Sequence, residues 1–119
     1  MENNHDEGVF LITEAWGIPG TSEKFKAYRV KVLNILEPYG PEFIFYSHVF
    51  DWVFGGEEGD FPSGMEVCRF KDEETARSAI AALEDSGVRE EEKEVFSRVR
   101  SYLSRHATRK NWETQGGGW

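Results

Sequence analysis

Hydrophobic and polar residues alternate near the start of the chain, which predicts a β-strand over residues 8–16. Alternate side chains of a strand face opposite sides, so Glu14 and Trp16 are expected to share one face. The sequence GIPGTS that follows favours a turn, because proline fixes φ and glycine permits positive φ. Thr21 or Ser22 is then placed to cap a helix.

Three later segments have the three- and four-residue spacing of amphipathic helices. The first runs to about Tyr39, includes Tyr28 in its apolar stripe, and ends at the sequence EPYGP. The second follows Asp72, a suitable N-cap, and its inner stripe is rich in alanine. The third is predicted over residues 90–105, where acidic residues at the start and basic residues at the end match the helix dipole.

An aromatic segment, residues 42–54, predicts a second strand that has no polar face. Its sequence is EFIFYSHVFDWVF. Strict alternation places one aromatic-rich set of side chains on a single face: Ile44, Tyr46, His48, Phe50 and Trp52. Such a strand is typical of a sheet that is covered on both sides. After the loop GGEEGDFPSG, residues 65–70 are expected to form a shorter strand.

The element order is therefore β-α-β-β-α-α, one strand short of the ferredoxin-like α+β order β-α-β-β-α-β. The missing strand is expected either to be absent or to form in the tail around residues 109–114. Helices on one face leave the other face of the antiparallel sheet to be covered, and a second copy of the chain is the simplest cover. A single domain is expected, with its core at about residues 8–105 and flexible ends at 1–7 and 107–119.

Two stretches carry a resemblance to known proteins: FKAYRVKVLNILEPYGPEFIF and GDFPSGMEVCRFKDEETARSAI. Over about residues 9–83 the chain resembles the dimeric α+β barrel superfamily. It is most similar there to a family of small bacterial proteins of unknown function, and more distantly to antibiotic-biosynthesis monooxygenases and EthD-like proteins. The resemblance implies a homodimer in which two sheets face each other, with a pocket between sheet and helices in each subunit.

Two features depart from the pattern of that superfamily. Arg69 stands where its members usually carry an acidic residue, just before the strand-ending Phe70. A long helix and a tail with tryptophan are expected in place of the last strand. Because the chemistries of these relatives differ, the fold by itself does not select a reaction.

Charge and composition limit the partners that are expected. The chain has 22 acidic and 14 basic residues and a net charge of −8, which repels phosphate backbones and anionic lipid. Nucleic acid and membranes are therefore not expected partners. The single cysteine, Cys68, allows no internal disulfide. The N-terminal sequence does not match a secretory signal and no apolar run approaches ~20 residues, so a cytoplasmic location is expected.

His48 and Glu14 are the candidate catalytic residues. An imidazole titrates near neutral pH, which suits a general base, and Glu14 would face His48 if the first and second strands were neighbours. The alternative for His48 is a hydrogen-bonded histidine in the core or the dimer interface. The alternative for Glu14 is a solvated carboxylate at the rim.

The residues expected to bind a ligand are mostly aromatic, with one arginine suited to a carboxylate or phenolate: Trp16, Tyr28, Tyr46, Phe50, Trp52 and Arg69. No metal or cofactor is expected, because the histidines and the acidic loop lack recognised ligand spacing. The expected function is binding of a small hydrophobic or aromatic molecule in a barrel pocket, with cofactor-free proton transfer, cyclisation or oxygenation as candidate reactions. A non-catalytic dimeric structural or protein-interaction module is the alternative, and the sequence leaves enzymatic activity open.

Overall fold

The computed structural model describes residues 8–51, 53–57, 59–105 and 113–114. In chain order its elements are β1 (Val9–Gly17), α1 (Ser22–Leu36), a 3-10 turn (Glu37–Tyr39), β2 (Glu42–His48), β3 (Gly64–Phe70), α2 (Glu73–Asp85), α3 (Val88–Val95) and β4 (Phe96–Ser104). The strands form one antiparallel sheet in the order β2-β3-β1-β4. This is the ferredoxin-like α+β fold that the sequence predicted.

Local signals in the sequence set the ends of α1 and α2. Thr21 occupies the N-cap of α1, although its hydroxyl donates to the Ile18 carbonyl at 2.7 Å instead of accepting from the helix. Gly40 takes the left-handed conformation, with φ of 62°, just after the 3-10 turn. Asp72 caps α2 as predicted, since its Oδ1 accepts from the Thr75 backbone N–H at 2.8 Å. Within the described ranges, no helix is both long and apolar enough to cross a bilayer.

The core lies between the helices and one face of the sheet. Ala76 and Ala79 on α2 are fully buried, and their small side chains allow the helix to approach the sheet closely. Both fit the alanine-rich inner stripe that the sequence predicts for this helix. The buried residues of the core cluster come from β1, α1, β3, α2 and α3: Val9, Val32, Leu36, Cys68, Phe70, Ala76, Ala79 and Val88.

The prediction of a helix over residues 90–105 is wrong in its second half. Helix α3 ends at Val95, and Phe96–Ser104 pairs antiparallel with β1, so that Leu103 lies opposite Leu11. The spacing of apolar residues there also fits a strand, and hydrogen bonding to the otherwise unpaired edge of β1 favours the strand. The fourth strand therefore precedes the tail. The alternative position around residues 109–114 lies mostly outside the described residues.

Strand β2 is shorter and more exposed than predicted. It ends at His48 and lies at the edge of the sheet, where Phe43, Ile44, Phe45 and Tyr46 are each 44–47 % exposed in the single chain. In the single chain this strand is therefore not covered on both sides, and its cover by a second copy stays a prediction. A register shift between Phe43 and Phe45 also breaks strict alternation, and it places Phe43 on the helix-facing side with Tyr46.

The sheet face opposite the helices is called the open face below. The strand register assigns to it a mixture of apolar, aromatic and charged residues: Phe10, Ile12, Glu14, Trp16, Phe45, Val67, Arg69, Arg98, Arg100 and Tyr102. Not all of them are exposed, because Phe10 and Val67 are buried in the single chain. The open face is the surface that a facing sheet would cover in a dimeric barrel.

Candidate ligand-binding site

A cavity of about 160 Å³ lies between the helices and the sheet. The residues that line it come from β1, α1, β2, β3, α2, α3 and β4. Most of the wall is apolar or aromatic, which is typical of a site for a small organic molecule. The apolar and aromatic side chains of the wall include Leu11, Phe25, Val32, Leu36, Ile80, Leu83, Phe96 and Val99.

Three aromatic rings meet at the junction of α1 with the start of β4. Phe25 and Tyr28 each contact Phe96 in an edge-to-face arrangement, with ring centroids 5.8 Å apart in both pairs. Such contacts fix ring orientations beyond what burial alone achieves. The cavity is therefore lined at this end by rings whose positions are mutually constrained.

A group of polar side chains, called the Tyr28 cluster below, forms one part of the cavity wall: Tyr28, Arg89 and Glu92. The Tyr28 hydroxyl donates to Glu92 Oε2 at 2.9 Å. Arg89 Nη1 donates to both carboxylate oxygens of Glu92, at 3.1 and 3.2 Å. Burial, and after it the Glu92 carboxylate, raises the pKa of Tyr28 well above its ordinary range, so the phenol is neutral at physiological pH.

A second ion pair, between Arg29 and Glu66, contributes to the same wall. The Arg29 guanidinium also lies over two rings of β2, 5.8 Å from the centroid of Phe43 and 5.7 Å from that of Tyr46. Cation–π contact of this kind holds the arginine against the aromatic strand. The aromatic content of β2 therefore helps to position a charged group of the cavity wall.

The predicted ligand-binding residues divide between the two faces of the sheet. Tyr28 and Tyr46 line the cavity on the helix side. His48 is on that side too and packs edge-to-face against Tyr46, with ring centroids 5.3 Å apart, but its side chain is exposed. The structure thus brings Tyr28 and Tyr46 to one cavity and leaves His48 beyond Tyr46.

Three other predicted residues lie on the open face, and they do not meet His48. Glu14 accepts a hydrogen bond from the Tyr102 hydroxyl at 2.9 Å and is paired with Arg100. The proposed contact of Glu14 with His48 is not formed, because β3 lies between β1 and β2. Trp16 is stacked beneath Arg98, whose guanidinium carbon is 3.8 Å from the ring centroid. Arg69 faces Glu42 at 3.6 Å.

The remaining predicted site residues follow β2. Phe50 is 89 % exposed and lies in the segment between β2 and β3. The shared face predicted for it depended on a strand that continued to residue 54. Trp52 lies outside the described residues.

The residues that sequence reasoning missed are mainly those of α3. Glu92 and Arg89 occur in the run VREEEKEV, which is typical of a solvated helix surface. A signal was nevertheless present, since Val88, Glu92 and Val95 recur at helical spacing and define one face. That face is directed towards α1, where the Tyr28 hydroxyl donates to Glu92.

Comparisons with known proteins agree with this fold. No family model and no curated protein sequence matches the chain. A solved protein of unknown function from Rhodopseudomonas palustris superimposes with a TM-score of 0.68 at 9 % identity, covering 89 % of this chain and 87 % of that one. SnoaB, a cofactor-independent oxygenase from Streptomyces nogalater, has a TM-score of 0.59 at 11 % identity, covering 86 % and 95 %.

A third solved structure is a dimeric protein of unknown function and ferredoxin-like fold from Bacteroides fragilis. Its TM-score is 0.51 at 10 % identity, and 83 % of this chain and 96 % of that chain are covered. At such low identities the likeness establishes the fold alone. The chain has the ferredoxin-like α+β fold that its sequence resemblance implied.

Proposed function

We propose that this protein binds a small hydrophobic or aromatic molecule in the cavity between its sheet and its helices. The observation that carries the proposal is an apolar cavity of about 160 Å³ with a few convergent polar groups. An engineered protein cavity of about 150 Å³ with apolar walls binds benzene. The volume is therefore suited to a single ring.

Cofactor-free proton transfer, cyclisation or oxygenation is the reaction class proposed for a bound molecule. Its support is the fold shared with a cofactor-independent oxygenase, together with the sequence resemblance. His48 is the proposed base, since its ring packs edge-to-face against Tyr46, which lines the cavity. Substituting His48→Gln is expected to abolish turnover and leave the melting temperature unchanged. An equal loss of thermal stability would assign His48 a structural role.

A homodimer that joins two open faces is the proposed assembly. A dimeric protein shares the fold, and the open face includes Phe45 and Tyr102, which are nearly half exposed in the single chain. Burying such side chains against a symmetric partner is favourable by about 25 cal/mol per Å² of apolar surface. Each subunit would keep its own cavity on the helix side of its sheet.

A non-catalytic interaction module is the second candidate function. The observation that favours it is the exposed apolar segment after β2, where Phe50, Val53 and Phe54 are nearly free of contact with the rest of the chain. Contiguous exposed apolar patches are typical of protein-interaction surfaces, and these three residues are close together in the sequence. This function does not require the cavity to hold a ligand, so filling the cavity distinguishes the two candidates.

The experiment that tests the proposed function fills the cavity from one side. Val99 lies in the cavity wall on β4, and the substitution Val99→Phe replaces empty space with a ring. The expected result is a loss of about tenfold or more in affinity for phenol and for benzene, measured by titration with nuclear magnetic resonance. Val30→Phe is the matched control, because it adds the same group to an exposed position of α1.

Two results would contradict the proposal. One is an absence of ring binding by the unsubstituted protein at millimolar concentration. The other is equal affinity in the Val99→Phe and Val30→Phe proteins, which would place the bound ring elsewhere on the chain. Circular dichroism of both variants checks that the folds are intact, since overfilling a core costs about 1–3 kcal/mol.

A further inference from the structure

The formal charges in the cavity wall are balanced, which bears on the kind of molecule that fits there. Arg89 pairs with Glu92, and Arg29 pairs with Glu66. Arg89 is additionally shared with Glu84, to which its Nε and Nη2 donate at 3.0 and 2.7 Å. No guanidinium of these pairs lacks a carboxylate, so an anionic ligand would lose its hydration without gaining a countercharge.

A cationic ligand is disfavoured for the complementary reason. The Glu92 carboxylate already accepts from Tyr28 and from Arg89, with all donor–acceptor distances between 2.9 and 3.2 Å. A ligand ammonium that approached Glu92 would come close to the Arg89 guanidinium and be repelled by it. The Tyr28 cluster therefore favours a molecule with no formal charge.

The hydrogen-bonding capacity that remains at the Tyr28 hydroxyl is that of an acceptor. The Tyr28 hydroxyl has one proton, which it donates to Glu92, and its oxygen keeps lone pairs that can accept. Each of the three guanidinium nitrogens of Arg89 already donates to a carboxylate. A ligand that hydrogen-bonds to the Tyr28 oxygen must consequently supply the proton itself.

The size of the cavity narrows the choice further. About 160 Å³ is close to the volume of a cavity that binds one benzene ring, so it suits one ring with a small substituent. The edge-to-face rings of Phe25, Tyr28 and Phe96 provide an aromatic end for such a ring. The Tyr28 cluster is part of the same wall, so one small molecule can contact both.

From these features we infer that the ligand is a neutral single-ring molecule with a hydroxyl group, such as a monocyclic phenol, whose hydroxyl donates to the Tyr28 oxygen. The inference rests on the proposed function and adds the chemical class of the ligand to it. Tyr28 acts here as a specificity-determining residue. It accepts a hydrogen bond and takes no part as a base.

The test compares four probes of one ring each at pH 7: phenol, benzene, benzoate and benzylamine. Phenol is expected to bind about two- to tenfold more tightly than benzene, the value of one net hydrogen bond. Benzoate and benzylamine, both charged at this pH, are expected not to bind at concentrations that saturate the site with phenol. Dissociation constants come from titrations of the unsubstituted protein, so this part needs no variant.

Substituting Tyr28→Phe then isolates the hydroxyl, because the ring that packs on Phe96 is kept. The preference for phenol over benzene is expected to fall to about onefold, while the affinity for benzene is unchanged. Tyr39→Phe is the matched control, since Tyr39 packs against the core but does not line the cavity. That variant is expected to keep the full preference for phenol.

The outcomes separate this inference from the proposed function. If benzene binds as tightly as phenol, or if benzoate or benzylamine binds more tightly, the inferred ligand class is overturned while the cavity remains a binding site. If Tyr28→Phe keeps the preference for phenol, the role of Tyr28 is overturned. If none of the four probes binds, the proposed function fails and this inference fails with it.

Discussion

Two weakly acidic side chains, Tyr28 on α1 and Cys68 on β3, lie between the helices and the sheet, where burial opposes their ionisation. Burial, and secondarily the nearby Glu66 carboxylate, raises the pKa of Cys68 to about 12. The thiol is 1 % exposed. A thiolate is the reactive form of cysteine, so Cys68 is expected to be inert in the folded protein.

The raised pKa of Cys68 makes a prediction about stability at alkaline pH. The unfolded thiol ionises near pH 9, whereas the folded thiol keeps its proton to about pH 12. The contribution of Cys68 to the free energy of unfolding is therefore complete below pH 9 and is lost as the pH rises towards 12. The free energy of unfolding falls over this range with a slope of up to ~1.4 kcal/mol per pH unit. Urea unfolding between pH 7 and 10.5 measures this slope.

The Cys68→Ala variant is the control for that experiment. Tyr28 also has a raised pKa, but it contributes equally to both proteins, so the difference in slope belongs to Cys68. The unsubstituted protein should lose stability faster than Cys68→Ala as the pH rises above 9. Parallel curves for the two proteins would contradict the burial of the thiol.

At the scale of elements, the sequence correctly predicted those features that depend only on residues close together in the chain. The helix cap at Asp72 and the end of the first helix at EPYGP were both predicted correctly, because each depends on a few adjacent residues. Strand β4 was missed because Val95, Phe96, Val99, Tyr102 and Leu103 fit a helix as well as a strand. Its pairing with β1, far away in the sequence, decided between them.

The candidate site was predictable only in part for the same reason. Tyr28 was found because it belongs to a regular apolar stripe. Helical spacing marks the face of α3 that carries Glu92, but its contact with Tyr28 comes from the packing of α3 against α1, which no local pattern encodes. The bulge near Phe43 shifted the faces of β2, and the alternation expected for His48 and Phe50 did not extend beyond the end of the strand.

A backbone requirement at the start of α3 gives a prediction at this scale. Gly87, the N-cap of α3, has φ of +81°, and a Cβ added there would meet no atom within 4 Å. The substitution Gly87→Ala is therefore expected to cost about 1–2 kcal/mol through backbone strain alone. Gly87→Asn should cost less, because asparagine tolerates the left-handed region. Chemical denaturation of both variants measures the difference, and a stabilising Gly87→Ala would contradict the assigned conformation.

At the scale of the whole molecule, the exposed aromatic residues of β2 and β4 require an explanation. Phe45 is 47 % exposed on the open face, beside the buried Val67. If two open faces pack together, a charge at this position is buried without a partner and the dimer dissociates. In such a dimer, a second copy of the chain would supply the cover that the aromatic segment predicts for the open face.

This proposal predicts the effect of one surface charge on assembly. Sedimentation velocity should find a dimer of the unsubstituted protein and a folded monomer of Phe45→Glu at the same concentration. Val30→Glu is the control, since Val30 is 57 % exposed on α1, away from the open face, and should leave the dimer intact. A folded monomer of the unsubstituted protein, or a dimer of Phe45→Glu, would show that the open face is not the interface.

The most direct test of the ligand-binding cavity is a crystal structure of the protein soaked in phenol. We expect a ring in the cavity beside Phe96 and Val99, with its hydroxyl about 2.8 Å from the Tyr28 oxygen. An empty cavity at saturating phenol, or a ring bound only on the open face against Trp16, would contradict the assignment of the cavity as the binding site.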